Sequence, residues 1–307
     1  MLSKRARADL ALVFCSFVWG TTFVMVKDAL ADASVFVYIA LRFALAAAIL
    51  AAVFYAALRK LDRHALWAGA QIGFFMLGGY IFQTAGLQFT SPSKAAFITG
   101  CAVVLVPLLL VFFGRKTNSW VWAGAAAALA GLYLLTVPPE GFGALNRGDV
   151  LVFICAIMFA LQIIFIGRHV DRHSVGALTF LQVATTALLS VLLLPLFAVT
   201  RLDPPRLSWT GTLVFALLIT SIGSTVMGFS FQVWAQKHTS SSHAAILLSL
   251  EPVFAALTSW LYAHERMSSR NLSGGVLILL GILFAELKGN ASVASRPNAV
   301  DVLPAQE

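Results

Sequence analysis

Charged residues are scarce in this chain of 307 residues. Asp, Glu, Lys and Arg make up 11% of the sequence, whereas 60% of the residues are hydrophobic and the mean hydropathy is +0.88. A soluble globular domain has about 25% charged residues. The shortage of charge therefore excludes a large soluble domain and indicates that lipid surrounds most of the chain.

Cysteine is rare as well, with only Cys15, Cys101 and Cys155. All three fall in apolar segments and none has the spacing of metal ligands, so we interpret them as small buried hydrophobic residues. We predict no metal site and no cofactor.

Groups for catalysis are also missing. An intramembrane protease needs a serine and a histidine buried together, or a motif such as His-Glu-x-x-His. The six histidines lie at the ends of apolar segments or in loops, and no pair of carboxylates is available for acid–base chemistry. We therefore expect that the protein is not an enzyme.

The net charge of +8 has a simple explanation in a membrane protein. In a soluble protein it would suggest a nucleic acid partner. Here the basic residues lie in short loops between apolar segments, where they orient a protein in the bilayer. We expect no nucleic acid partner.

About ten segments are long and apolar enough to cross a bilayer as helices, which predicts an all-α integral membrane protein. The first could instead be a signal peptide, because Ala29-Leu30-Ala31 fits a cleavage site. Its apolar run is long for a signal peptide, so we predict that it is retained. The predicted segments are 9–27, 35–58, 65–88, 94–113, 119–137, 149–167, 175–199, 209–235, 243–262 and 271–288.

The sequence contains one unit twice. Residues 90–96 recur as residues 239–245 with five of seven positions identical, and Lys94 corresponds to His243. The serines of both stretches can cap the helix that follows. Further correspondences pair Asp9 with Asp149, Cys15 with Cys155, Gly124 with Gly274, and Gly131 with Gly281.

This duplication predicts two inverted five-helix repeats. Because five is odd, the second copy must enter the membrane from the opposite side, as in secondary transporters whose substrate site lies where the halves meet. The predicted division is a tail (1–8), repeat 1 (9–138), a linker (139–148), repeat 2 (149–288) and a disordered tail (289–307).

The distribution of basic residues predicts the orientation. If the N-terminus is cytoplasmic, thirteen Lys and Arg residues lie inside and seven outside, with Arg42 left within a segment. Positively charged residues are more frequent on the cytoplasmic side. We therefore predict that both termini are cytoplasmic.

Four groups of residues form a recognisable set: Trp19-Gly20-Thr21-Thr22-Phe23, Arg42-Phe43, the region from Gly86-Leu87 to Pro107, and Glu251-Pro252 followed by Glu265. Together they resemble the two tandem domains of EamA-like transporters in the drug/metabolite transporter superfamily. The resemblance covers roughly residues 9–288, and it implies a ten-helix carrier in the cell (inner) membrane, often an exporter of amino acids or other small metabolites.

Helical spacing places aromatic and hydrogen-bonding residues together on four segments. An aromatic wall with a few polar groups suits a small, partly apolar solute. The alternative is that these residues only pack or link helices. The predicted substrate-binding residues are Trp19 and Thr22, Tyr80 and Gln83, Phe159 and Gln162, and Phe229 and Gln232.

Four ionisable residues are candidates for gating or coupling. Arg42 lies deep in the second segment, where it could bind an anionic group or brace backbone carbonyls. Glu251 is the only acidic residue deep in a segment and is a candidate for proton coupling or for a buried pair. Lys94 and His243 lie at equivalent helix starts, where they could attract an anion or extend to the interface.

The leading functional hypothesis is export or exchange of a neutral or zwitterionic metabolite by alternating access. One alternative is a proton-coupled exporter of drugs or toxic compounds, and another is a non-catalytic pore or scramblase. The expected partners are a small-molecule substrate and the lipid bilayer. Contact of the glycine pairs between protomers would make a homodimer, and contact between the two halves is the other reading.

Overall fold

The computed structural model describes residues 3–141, 143–201, 203–263 and 268–289. Residues 290–307 of the predicted tail and Glu265 of the family motif lie outside these ranges. The described part is helical and contains no strand, apart from one isolated antiparallel bridge between Ala33 and Leu207.

Ten membrane segments follow one another along the chain, and we number them spans 1 to 10. Nine contain a helix long and apolar enough to cross a membrane, and the tenth contains a shorter apolar helix over Ser269–Ala285, among the residues that the structure describes. The expectation of about ten spans in an all-α protein is confirmed. Their helices are Lys4–Ala29, Val35–Val53 (followed by Tyr55–Leu58), Arg63–Leu87, Pro92–Gly100 with Ala102–Phe112, Ser119–Thr136, Arg147–His169, Val175–Thr200, Gly211–Gln236, Ser241–Leu248 with Glu251–Ala263, and Ser269–Gly289.

The duplicated serine-rich stretches begin spans 4 and 9 as predicted. The Ser91 side chain accepts a hydrogen bond from the Lys94 backbone N–H, and the Ser240 side chain accepts one from the His243 N–H, both at 3.2 Å. Each bond satisfies an amide at a helix start that would otherwise lack a partner in lipid. The caps therefore fix both helix starts in the same way.

Spans 4 and 9 are both interrupted near their middle. One breaks at Cys101 and the other over Ser249–Leu250, and Cys101 and Leu250 are 149 positions apart, as Lys94 and His243 are. Discontinuous helices in corresponding positions of two halves are typical of transporter binding sites. The interruptions border the cavity described below.

The glycine pairs connect the two halves. A Cβ atom on Gly124 would lie 2.6 Å from the Gly281 carbonyl oxygen, and one on Gly131 would lie 2.6 Å from the Gly274 oxygen. Spans 5 and 10 thus approach each other backbone to backbone, as small residues permit. Of the two readings of these glycines, contact between the halves is the observed one; self-association stays a prediction.

Span 8 departs from regular helical geometry. It contains a π-helix over Thr220–Met227, in which the Thr225 hydroxyl donates to the Thr220 carbonyl at 2.9 Å. Apolar length alone predicts this span as one continuous α-helix. The wider turn matters because π-helical insertions are frequent at functional sites, and this one presents its hydroxyl groups to span 2.

Candidate functional site

A cavity of about 100 Å³ lies at the centre of the bundle, bordered by spans 1, 2, 3, 4, 6, 8 and 9. One buried water requires about 10–15 Å³ of such space, so the cavity is large enough for a small solute group. All eight predicted binding residues line it, together with Arg42 and Glu251, whereas Lys94 and His243 do not. The structure thus brings together ten of the twelve candidates, and their role in binding stays a prediction.

Aromatic rings form one wall of the cavity. The Tyr80 ring contacts Phe159 edge to face with centroids 5.4 Å apart, and Trp19 lies 5.2 Å from Phe229. The Trp19 indole N–H donates to the Ser224 carbonyl at 2.8 Å, which fixes the ring across spans 1 and 8. These rings present apolar faces while their own polar groups are satisfied.

The glutamines make a polar wall. The Gln162 amide donates to the side-chain oxygens of Gln182 at 3.0 Å and of Gln232 at 3.3 Å, and Gln232 donates back at 3.3 Å. Gln83 donates to the Thr99 hydroxyl at 3.4 Å. The two predicted roles of these residues are therefore compatible, since each glutamine both links helices and borders the cavity.

Thr22 uses its hydroxyl locally. The hydroxyl donates to the Trp19 carbonyl one turn earlier at 3.0 Å. The hydroxyl hydrogen of Thr22 is therefore already used in a hydrogen bond within span 1 and is not available to a solute. Its methyl group and its remaining acceptor capacity are what it can offer to the cavity.

Arg42 is held by hydroxyl groups. Its Nε donates to Thr225 at 3.0 Å, and one terminal nitrogen, Nη2, donates to Ser224 at 2.7 Å and to Tyr80 at 3.2 Å. The guanidinium carbon also lies 4.7 Å from the centre of the Tyr80 ring. None of these partners is a backbone carbonyl, so bracing of carbonyls by the guanidinium is not the observed arrangement.

The charge of Arg42 is not neutralised by a carboxylate. The side chain is buried, with 3% of its surface exposed. Within the described ranges, no acidic residue forms an ion pair with it. A charged group at this depth of a membrane protein is expensive and usually functional.

Glu251 begins the second helix of span 9 and borders the same cavity. In the part of the chain that the structure describes, no hydrogen bond or ion pair reaches its carboxylate. Its oxygens are not fully enclosed by protein atoms. They therefore remain accessible from the cavity. The expected buried pair for this residue is therefore not observed among the described residues.

Lys94 joins the two halves at the end of the bundle where span 4 begins. Its Nζ lies 2.6 Å from a carboxylate oxygen of Asp149, and 3.3 Å from the Ala144 carbonyl. Asp149 also accepts a bond from the Thr90 hydroxyl at 2.8 Å. The Lys94 side chain is 6% exposed, so the expectation that it extends to the membrane interface is wrong.

His243 makes the corresponding contact at the start of span 9. Its Nε2 lies 3.1 Å from a carboxylate oxygen of Asp9. Lys94 corresponds to His243 and Asp149 to Asp9, so each half supplies the acid for the basic residue of the other. Both residues predicted to gate or attract anions thus lie in contacts between the halves, outside the cavity.

The cavity extends farther towards one end of the bundle. It reaches Val26, Thr84 and Leu87 near the ends of spans 1 and 3. The corresponding residues of the second half, Ile166, Val233 and Gln236, do not line it. The Gln236 amide instead donates to the Ile163 carbonyl at 2.8 Å. This hydrogen bond links spans 6 and 8 near the end of the bundle where both spans finish.

Sequence reasoning missed two groups of this site, Ser224 of the π-helix and Thr99 beside Gln83. The signal for the first was a cluster of hydroxyl residues over 220–225 in an otherwise apolar span. Hydroxyls in a span need partners. The partner of Ser224 and Thr225 is Arg42, six spans earlier in the sequence.

Apolar helices around a shared, partly polar cavity define a multi-pass membrane protein. The sequence model of the EamA-like transporter family matches twice, over residues 6–137 and 146–287. The chain therefore belongs to the EamA-like transporter family.

Relatives from distant organisms support this membership. An uncharacterized transporter of Archaeoglobus fulgidus is 33% identical over 290 residues, which cover 93% of this chain and 87% of that protein. The uncharacterized transporter YoaV of Bacillus subtilis is 25% identical over 288 residues, covering 89% and 94%. A WAT1-related chloroplastic protein of Arabidopsis thaliana is 27% identical and covers 87% and 66%.

A solved crystal structure has the same fold. It superimposes with a TM-score of 0.76 at 22% sequence identity, and the match covers 94% of this chain and 99% of the other. At this identity the likeness concerns the fold alone.

Proposed function

We propose that the protein is a secondary transporter that exports or exchanges amino acids or similar small metabolites by alternating access. It lies in the cell (inner) membrane with both termini cytoplasmic, its partners are the solute and the bilayer, and it has no catalytic activity. The observation that carries the proposal is the central cavity, to which both halves contribute aromatic residues and glutamine. Transporters with inverted repeats bind their solute at this place.

A proton-coupled exporter of drugs or toxic compounds is the second candidate. The Glu251 carboxylate supports it, since a buried acidic group in a span is suited to exchange protons. The first candidate is preferred because Arg42 brings a positive charge to one small cavity, and a bulky cationic drug would leave that charge without an anionic partner.

The experiment is counterflow of radiolabelled amino acids in proteoliposomes, compared with a triple variant, Gln83→Ala with Gln162→Ala and Gln232→Ala. We expect the triple variant to lose most of the flux because it removes the polar wall. The control is Gln71→Ala, a glutamine in span 3 that contacts His169 at 3.1 Å and does not line the cavity. Full flux in the triple variant would contradict transport through this cavity.

A further inference from the structure

We propose that a clasp between the two halves, formed by residues 32–36 and 203–210, stays closed throughout the transport cycle and confines the outer path of the solute to spans 1, 3 and 4. The clasp lies at the end of the bundle opposite the predicted cytoplasmic end. This inference rests on the proposed transport function and adds which spans move. Its basis is a set of hydrogen bonds at one end of the bundle that, within the described ranges, has no counterpart at the other.

Backbone hydrogen bonds form the centre of the clasp, on both sides of the isolated antiparallel bridge. The Ser34 N–H donates to the Arg206 carbonyl at 2.9 Å. On the other side of the bridge, the Ser208 N–H donates to the Asp32 carbonyl at 2.8 Å. The loop between spans 1 and 2 is thus joined through the main chain to the loop between spans 7 and 8.

Side chains extend this joint to the ends of the spans. The Asp203 carboxylate accepts a hydrogen bond from the Phe36 backbone N–H at 2.9 Å, so a residue of the second half caps the start of span 2. The Thr210 hydroxyl donates to the Asp32 carboxylate at 2.5 Å. The Arg206 guanidinium donates at 2.6 Å to a backbone carbonyl at the end of span 1. The clasp therefore connects the outer ends of spans 1, 2 and 8.

Packed side chains lie beneath the clasp. The rings of Phe36 and Phe197 stack with their centroids 3.7 Å apart, which joins span 2 to span 7. The hydroxyls of Tyr38 and Thr220 are hydrogen-bonded at 2.9 Å, which joins span 2 to span 8. Buried apolar residues of spans 1, 2 and 8, among them Leu213, adjoin these contacts. Separation of these spans would therefore disrupt a close-packed core as well as the clasp.

The opposite end of the bundle has a different arrangement. Residues 59–62 connect spans 2 and 3, whereas the corresponding connection between spans 7 and 8, residues 201–210, is longer. Among the described residues, no hydrogen bond joins residues 59–62 to residues 170–174, which connect spans 6 and 7. The contact there is apolar, and a Cβ atom on Gly176 would lie 2.6 Å from the Phe54 ring. The clasp is therefore an addition to the repeated unit, present at one end only.

The strength of the clasp argues against its opening in every cycle. A transporter must visit both of its open states, so neither state can be very rare. One hydrogen bond favours the state that contains it by about fivefold. The five bonds given above would together make an open clasp rarer by on the order of a thousandfold. The outer path is therefore expected to open elsewhere.

The cavity reaches the outer end of the bundle beside the clasp. Thr84 and Leu87 of span 3 and Ala96 of span 4 line it there. In the part of the chain that the structure describes, no residue of 28–36 or 203–210 lines the cavity. We therefore expect spans 3 and 4 to move against a fixed group of spans 1, 2, 7 and 8 when the outer path opens and closes.

The first test locks the clasp with a disulfide between Ala33→Cys and Leu207→Cys, in a variant whose three native cysteines are alanine. These residues face each other in the bridge without direct backbone bonds, an arrangement that brings Cα atoms to about 4.5 Å, within disulfide range. Counterflow of radiolabelled amino acids is measured before and after reduction. We expect a change of less than about twofold, because a joint that does not move does not limit the rate. Loss of flux in the disulfide form, restored by reduction, would overturn the proposal, as would failure of the disulfide to form.

The matched control bridges the proposed path instead. A bifunctional thiol reagent joins Val26→Cys in span 1 to Leu87→Cys in span 3, two positions that line the cavity at this end, and mass spectrometry of the linked peptides confirms the bridge. We expect bridging to lower the flux at least about tenfold relative to the same variant before bridging, because the two spans can no longer separate. Equal flux before and after bridging would contradict a path between these spans.

Labelling is a second measurement that requires no flux. Single cysteines replace Ala33, which is fully buried, and Leu207, which is 41% exposed. We expect an impermeant maleimide to label Ala33→Cys at least about tenfold more slowly than Leu207→Cys, with and without a mixture of the twenty protein amino acids, because a closed clasp offers no open state to react. Similar rates at the two positions would overturn the proposal. Absence of flux for every metabolite tested would count against transport itself, and the labelling would still decide whether the clasp opens.

Discussion

The Lys94 ammonium group lies 2.6 Å from the Asp149 carboxylate, although the two residues belong to different halves of the chain. Asp9 and His243 repeat this contact with the roles of the halves exchanged. Each basic residue is the third residue of a serine-capped helix, and the positive helix end disfavours the Lys94 cation there. The acid from the other half offsets that repulsion, so both contacts stabilise the joint between the halves.

Removal of one partner from the enclosed ion pair should destabilise the protein strongly. We expect Lys94→Met to lower the free energy of unfolding by about 3–5 kcal/mol, the usual cost of breaking a buried pair. Asp9→Asn should cost less, because 24% of the Asp9 side chain is exposed and its contact is 3.1 Å long. Denaturant unfolding in detergent measures both, and equal losses would argue that burial does not set the strength of these contacts.

The hydrogen bond from Gln236 to Ile163 should act as a latch, which means that it holds spans 6 and 8 together and keeps one end of the cavity closed. The first half has Leu87 at the corresponding position and lacks this bond, and the cavity extends there. We expect Gln236→Leu to open the closed end, so that a cysteine placed at Ile166 reacts several-fold faster with an impermeant maleimide in inside-out vesicles. Gln71→Leu is the control, and an unchanged rate in Gln236→Leu would exclude a latch.

The glycine contacts between spans 5 and 10 should tolerate no side chain. Gly131→Ala would place a Cβ atom 2.6 Å from a backbone oxygen, and we expect a loss of about 1–3 kcal/mol, as for other overpacked sites. Gly275→Ala is a matched control in span 10, because no atom lies within 4 Å of its Cβ position. Melting temperatures should fall for the first variant and stay level for the second.

Flux through the cavity should not require a proton gradient, because the preferred candidate function is export or exchange without proton coupling. Counterflow of the transported amino acid at equal pH on both sides is expected to proceed in the native protein and to weaken in Glu251→Gln. Strict dependence on an imposed pH gradient, lost in Glu251→Gln, would instead establish the proton-coupled alternative. The measurement is flux in liposomes with and without the gradient.

Periodicity and internal repetition predicted much of the architecture. Ten spans, their serine caps and the face that carries Tyr80 and Gln83 follow from apolar length and helical spacing, which are local properties. The correspondence of Asp9 with Asp149 and of Lys94 with His243 was visible as well. The contacts of Lys94 with Asp149 and of His243 with Asp9 could not be predicted in this way. A repeat shows which positions are equivalent, but it does not show which residues are in contact.

The environment of Arg42 was beyond sequence reasoning for a different reason. A π-helix widens the turn, so a regular helical projection that places Thr225 on the cavity face does not place Ser224 beside it. Beside the break in span 9, the Glu251 carbonyl packs against Gly20 of span 1, a contact that helical spacing does not show. Such local departures arise from contacts between distant segments.

The transport proposal depends on two halves that cross the membrane in opposite directions around their shared cavity. Cysteines replacing Arg59, after span 2, and Arg172, after span 6, test this in a variant whose three native cysteines are alanine. An impermeant maleimide should label both cysteines only from the cytoplasmic side. Labelling of the two cysteines from different sides would contradict inverted halves and, with them, alternating access through this cavity.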